Sequence, residues 1–432
     1  MPVEHPQARL DSLCLAIKDG THGTHRRTDS GIPLLSAKNI TRDGRLEWDR
    51  EDSLISESEY RAIHATFRLQ REDLLLTIVG SLGRRALFDG SKVTFQRSVA
   101  YLRPDQAKTL PTFLYHALSD ASYQRQLIQR SNATAQAGLY LGELSATTVP
   151  APPLPEQLRI AQILDTLDEA IRKTEQVIAK LQQMKQGLLH DLLTRGIDEN
   201  GELRDAERHP DQFKDSPLGR IPRGWEVREL GASVDILHGY AYDGAFFADR
   251  PLGPMLLTPG NFHREGGLYF TSTNTKWFAG KLPSGYILRG GDIVTVMTDL
   301  SPRTLILGST VVLDEGQELL HNQRIGKVVA KSSADWDSTF LALQMSSDRF
   351  RRKVIAEATG TTVRHTSPGK MKANLVARPP LSEQAVSVGS VVSYGARIHF
   401  EASGLNKLRS LKQGLMEDLL TGRVRVKPEE AE

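Results

Sequence analysis

A single cysteine, Cys14, stands in 432 residues, so no internal disulfide and no all-cysteine zinc site can form. A lone thiol suits a reducing compartment, and it is expected to behave as a small buried apolar residue. No run approaches the ~18 apolar residues of a membrane span, and the opening MPVEHPQARLDS holds no apolar core of the secretory type. A soluble, cytoplasmic protein is expected. Neither sign of charge dominates: the formal net charge is +3, which does not by itself announce a nucleic acid. The phosphate loop G-x-x-x-x-G-K-[ST] is missing, which argues against nucleotide hydrolysis. The [DNS]-P-P-[FY] tetrapeptide of amino-methyltransferases is missing too, since both Pro-Pro pairs continue into Leu. His22 and His25 have no neighbouring cluster to complete a metal set, and Asp165, Asp168 and Glu169 fall mid-helix with the wrong period for one. No Ser, His and Asp spacing suggests a triad. Neither a catalytic centre nor a metal site is expected.

What the chain does have is a long helix at residues 152–194, PPLPEQLRIAQILDTLDEAIRKTEQVIAKLQQMKQGLLHDLLT. Pro152, Pro153 and Pro155 forbid helix before it, and Glu156 complements the dipole in the first turn. Apolar residues then recur at heptad spacing. One seam holds Ile160, Leu167, Thr174, Leu181 and Leu188; the other holds Leu164, Ile171, Ile178, Lys185 and Leu192. Such a helix is roughly 55–60 Å long and needs a second one to cover its seam.

A shift of 227 residues supplies it. Residues 379–421, PPLSEQAVSVGSVVSYGARIHFEASGLNKLRSLKQGLMEDLLT, match the first stretch without a gap at 16 of 43 positions. Chance would give about two or three matches at ordinary residue frequencies. This is an internal duplication. Ile398, Leu405, Leu408, Leu415 and Leu419 form the seam of the copy. Gly389, Gly395 and Gly404 weaken its first half, which is expected to be less regular, with Leu405 to Leu419 packing best.

The expected architecture is α+β, with two globular units alternating with two long helices. The first unit spans 1–150, the first helix 151–197, a polar exposed linker 198–222, the second unit 223–377, the second helix 378–426 and a tail 427–432. Short β-like runs fall in a similar order in both units: Ile32–Leu35, Leu74–Val79, Lys92–Phe95 and Val99–Leu102, then Met255–Thr258, Ile293–Met297, Leu305–Leu307, Thr310–Leu313 and Gly326–Ala330. A helix is expected over Thr112–Arg130. Gln96-Arg97 and Gln323-Arg324 repeat at the same 227-residue shift as the helices.

Both units carry basic, amide-bearing loops. The first has Lys18, Thr21, His22, Arg26 and Arg27 in one Gly-rich loop, and Arg84 and Arg85 in another. The second has Asn261, His263 and Arg264, then Pro302-Arg303, then Arg364, Lys370 and Lys372. DNA reading calls for such groups: Arg or Lys for phosphate and guanine, Asn or Gln for adenine, Gly for close backbone approach. With Lys38, Asn39, Gln96, Arg97, Tyr240, Gln323 and Arg324 they make up the candidate DNA-binding set.

The motif Pro-Pro-Leu-x-Glu-Gln opening a long helix twice resembles the specificity subunit of Type I restriction–modification systems. So do Asp19-Gly20-Thr21-His22, Ser36-Ala37-Lys38-Asn39-Ile40, Ser216-Pro217-Leu218-Gly219 and Ile221-Pro222 before Gly224-Trp225. The second unit departs from the pattern, with Gly239-Tyr240 where the first has Gly20-Thr21-His22. The resemblance implies two α/β target recognition domains and two spacer helices packed as an antiparallel coiled coil, with an approximate two-fold axis. It implies double-stranded DNA as ligand, two methyltransferase subunits and translocating restriction subunits as partners, and no cofactor in this chain. S-adenosylmethionine, ATP and Mg would belong to those partners. Half-sites one helical turn apart would leave an unread gap of roughly five to eight base pairs in an asymmetric target. A stand-alone DNA-binding repressor is the alternative, which the modest charge argues against. An enzyme with an unrecognised site is a third.

Overall fold

Pro152 and Pro153 hold the backbone extended, and Leu154–Thr194 (α1) then runs as one helix of 41 residues. Leu381–Thr421 (α2) repeats it over another 41. Each stops beside a glycine in the left-handed region, Gly196 at φ 61° and Gly422 at φ 81°. The computed structural model describes residues 4–131, 138–301 and 303–427; Pro302 and tail residues 428–432 lie outside these. By its contacts the chain divides into two units, residues 1–177 with 401–432, and residues 178–400. Each long helix therefore begins in one unit and ends in the other.

The first unit is built on a four-stranded antiparallel sheet. Its strands are Cys14–Asp19 (β1), Leu74–Thr77 (β2), Arg85–Leu87 (β3) and Val99–Pro104 (β4), in the order β1-β4-β2-β3. A smaller sheet pairs Ile32–Leu35 in parallel with Thr94–Phe95 and antiparallel with Leu54–Ile55. Leu75, Phe95, Val99 and Tyr101 are buried in the core shared with that sheet. Leu74, Leu76, Ala100 and Leu102 point the other way, as the period of two requires. Their core takes in Ile160, Ala161 and Leu164 from α1 and Leu419 and Leu420 from α2.

The second unit repeats the plan. Val234–His238 (β5), Ile293–Val296 (β6), Thr310–Val312 (β7) and Ile325–Ala330 (β8) form an antiparallel sheet in the order β5-β8-β6-β7. A five-stranded sheet accompanies it, again around one parallel pair, Met255–Leu257 with Glu318–His321. Each unit is also closed by one antiparallel pair leading into its helix: Gln7–Arg9 with Thr148–Pro150, and Glu226–Glu229 with Leu375–Arg378.

Within each unit the helices run antiparallel. In the first, Asp168 pairs with Lys412 and Glu175 with Arg409. In the second, Leu188, Leu192 and Val391 share one cluster, and Leu189, Leu193 and Val388 another. All thirteen predicted seam residues are shielded. Ile160, Leu164, Leu181, Leu192, Leu405 and Leu419 are buried; Leu167, Ile171, Ile178, Leu188, Ile398, Leu408 and Leu415 are half-buried. A fully buried Leu or Ile contributes about 1.5–3 kcal/mol.

Four expectations need correction. The first half of α2 is unbroken helix despite Gly389 and Gly395, because Val388 and Val391 anchor it by packing. The helix over Thr112–Arg130 is two, Pro111–Ala117 and Ala121–Arg130, since Asp120 caps Ser122. Leu305–Leu307 is a turn rather than a strand. The stretch 198–222 is no bare linker: Phe213 and Ile221 are buried, and they belong to a short hairpin, Phe213–Lys214 with Ile221–Pro222. Cys14 is half-buried, and burial pushes its thiol up to about 12. Among the described residues no helix is long and apolar enough to cross a membrane.

Candidate nucleic-acid interface

The repeated Glu-Gln of Pro-Pro-Leu-x-Glu-Gln docks each helix on its own unit. Gln157 accepts from the Leu110 N–H at 2.9 Å and donates to the carbonyls of Lys108 and Pro152. Gln384 does the same with the Asp337 N–H and the carbonyls of Asp335 and Pro379. Glu156 takes both arms of Arg425, at 2.7 and 2.6 Å. Glu383 takes both arms of Arg204, the Ile197 N–H and the Trp225 indole N–H. The Glu therefore ties the start of one helix to the chain just beyond the end of the other.

A glycine seats one candidate loop in each unit. A Cβ on Gly20 would overlap the carbonyl oxygens of Phe95 and Gln96; one on Gly239 would overlap those of His321 and Asn322. Thr21 N–H donates to Phe95 O, and Tyr240 N–H donates to His321 O, both at 2.8 Å. Thr21 thus bridges Gln96 as Tyr240 bridges Asn322. Gly239-Tyr240 is the true counterpart of Gly20-Thr21. The dipeptides Gln96-Arg97 and Gln323-Arg324 are not counterparts. Arg97 N–H donates to Thr21 O and Gln323 N–H to Tyr240 O, so the turns match at a shift of 226.

The candidate contact residues separate by what already holds them. Asn39 and Asn261 are buried at the third position of matching capping boxes. Each accepts from a main-chain N–H three residues back and donates across its loop, so neither amide is free for a base. Arg364 spans the carbonyls of Gly360 and Ile355, Lys370 holds Glu357 O, and Lys372 reaches Asp235. Arg84 donates to Ile40 O. Arg85 donates to Tyr115 O and lies 4.7 Å over the Tyr115 ring, where burial pulls its guanidinium below the usual value. Lys38 is exposed but pairs with buried Asp52 at 2.6 Å, which raises its ammonium. His22 pairs with Asp19, and Lys18 lies near Thr66 O. Thr21 bonds His25, whose other nitrogen meets Glu59, so both histidines serve the loop itself. Gln96 is half-buried. Arg26, Arg27, Arg97, Arg264, Arg303, Gln323 and Arg324 are exposed, with no side-chain partner among the described residues; Tyr240 and His263 are exposed too, stacked edge-on to Tyr242 and Tyr269.

Two features have no signature in the sequence. Arg42, Arg84 and Arg85 line a cleft of about 480 Å³ with Ser81, Gly83 and Gln124. Buried His116 meets Asp165 at 2.8 Å, and its other nitrogen lies 3.9 Å from Asp168, which pairs with Lys412. The second unit has Leu343, Val392 and Gly395 at the positions matching His116, Asp165 and Asp168 by the 227-residue shift. No signal short of the fold brings these together. Among the described residues no group of three or more His, Cys, Asp or Glu could hold a metal.

Each unit thus combines a four-stranded antiparallel sheet, a second sheet with one parallel pair and a glycine-seated loop with a segment of each long helix. Residues 23–183 match the family described as "Type I restriction modification DNA specificity domain", and the chain has the fold of Type I specificity subunits. Two relatives come from Methanocaldococcus jannaschii. The Type I restriction enzyme MjaVIII specificity subunit is 26% identical over 284 residues, covering 65% of this chain and 62% of the relative. The putative Type I restriction enzyme MjaX specificity subunit is 22% identical, covering 99% of this chain and 95% of the relative. The crystal structure of the S subunit from M. genitalium superposes with a TM-score of 0.56 at 14% identity, covering 96% of both chains.

Proposed function

We propose that this chain is the DNA sequence-recognition subunit of a Type I restriction–modification complex. The observation that carries the reading is the duplication: two units share strand order, glycine-seated loop and helix docking, yet differ in the side chains their loops expose. A shared scaffold with unlike reading edges suits a split, asymmetric target. In this reading the chain reads sequence and performs no chemistry. Two methyltransferase subunits dock on it and carry S-adenosylmethionine, and restriction subunits carry ATP and Mg. The two helices set the distance between half-sites.

The test is an exchange of the first unit, residues 1–150, for that of another family member, assayed in the complex with its methyltransferase subunits. One half of the modified sequence should change and the other persist. A change in both halves would refute the modular reading. Tight, specific binding by the chain alone would favour a repressor, and turnover by the chain alone with methyl donor or ATP would favour an enzyme.

A further inference from the structure

We propose that both units read base edges with the same device, a three-residue turn seated on a glycine, and that Arg97 in the first unit and Gln323 with Arg324 in the second are the reading side chains. The inference rests on the proposed recognition role and narrows it to three residues. In each unit the glycine leaves no room for a side chain, so the end of β1 or β5 lies flat against the turn. The main chain there is committed. Arg97 N–H donates to Thr21 O at 3.1 Å, and Val99 N–H closes the turn onto Gln96 O at 3.0 Å. In the second unit Gln323 N–H donates to Tyr240 O at 2.9 Å, and Ile325 N–H closes onto Asn322 O at 3.0 Å. Asn322 further caps the turn by accepting from Arg324 N–H at 2.9 Å.

The backbone is thus rigid while the three head groups are exposed and unpartnered among the described residues. A base-reading group needs that combination, since a preorganised backbone loses little freedom on binding and a free head group has no bond to give up. Many of the other basic candidates are tied to carboxylates or carbonyls. The one-residue offset supplies the difference between half-sites. Arg97 stands where Gln323 stands, Ser98 where Arg324 stands, and Thr21 where Tyr240 stands. A guanidinium matches the two acceptors of guanine, and a primary amide matches the acceptor and donor of adenine.

The test uses the full chain in complex with its methyltransferase subunits and a DNA library randomised around the modified site. Arg97→Ala should relax preference at a single base pair of one half-site by roughly 5- to 150-fold, leaving the other half unchanged. Gln323→Ala and Arg324→Ala should each do the same in the other half-site. Equal weakening on all sequences would assign these residues to phosphates and overturn the inference, as would unaltered preference or relaxation in both halves. If the unaltered complex showed no defined site, the recognition role itself would fail, and this inference with it.

Discussion

Among the described residues Glu383 accepts four hydrogen bonds in the second unit, and its removal is the most informative change to stability. It accepts from Ile197 N–H at 2.9 Å, from the two Arg204 nitrogens at 2.6 and 3.1 Å, and from the Trp225 indole at 3.1 Å. The side chains of Glu383 and Arg204 are 8% and 18% exposed, so solvent cannot replace these bonds without rearrangement. Truncating one partner of a buried ion pair costs about 3–5 kcal/mol. Each orphaned buried N–H adds about 1–3 kcal/mol, but the terms share one relaxation and do not sum. Arg204 also keeps its 3.3 Å bond to Arg195 O. Glu383→Ala should therefore cost about 3–5 kcal/mol in all, and Glu383→Gln, which retains one carbonyl acceptor, about 1.5–3 kcal/mol. Urea unfolding followed by tryptophan fluorescence reads this directly, since Trp225 is itself one of the partners. If Glu383→Ala unfolded within about 1 kcal/mol of the parent, the Glu-Gln docking account would be wrong.

Other outcomes follow from the same contacts. Gly404 lies inside α2, and a methyl placed on its Cα would meet nothing within 4 Å, so Gly404→Ala should stabilise by about 0.5–1 kcal/mol in thermal unfolding. The hydrogen bond from Arg425 holds the Glu156 carboxyl below its ordinary value of 4.5, so its contribution is present above about pH 4.5 and lost as pH falls through the depressed value. Glu156→Gln should thus be less stable than the parent at neutral pH and converge with it in acid; parallel pH–stability curves would refute the assignment. Inserting one heptad near Val177 in α1 should change the gap between half-sites or abolish activity while leaving half-site preference intact, as target mapping would show.

The helices were legible because the copy kept its Glu-Gln start and the seam of its second half, and two copies in one chain serve as their own comparison. The strands were half legible. Runs such as Ile32–Leu35 carry enough β-branched and apolar residues to be read, but Cys14–Asp19 and Val234–His238 mix polar and apolar residues without a clean period. The break at Asp120 was hidden by an apolar pattern that continues through it from Phe113 to Leu127, all on buried faces. Arg204 looked like linker because its partner lies 179 positions away. The candidate contact residues were the least legible. Asn39 and Asn261 have the chemistry of adenine readers, but local capping consumed their amides, and only the fold tells a committed amide from the free one of Gln323.

Bipartite reading by this chain is open to one decisive measurement, the mapping of modified bases across host DNA with and without it. One motif should depend on the chain, made of two unlike half-sites around a gap of roughly five to eight base pairs. A continuous or symmetric motif, or modification that persists when the chain is absent, would contradict it.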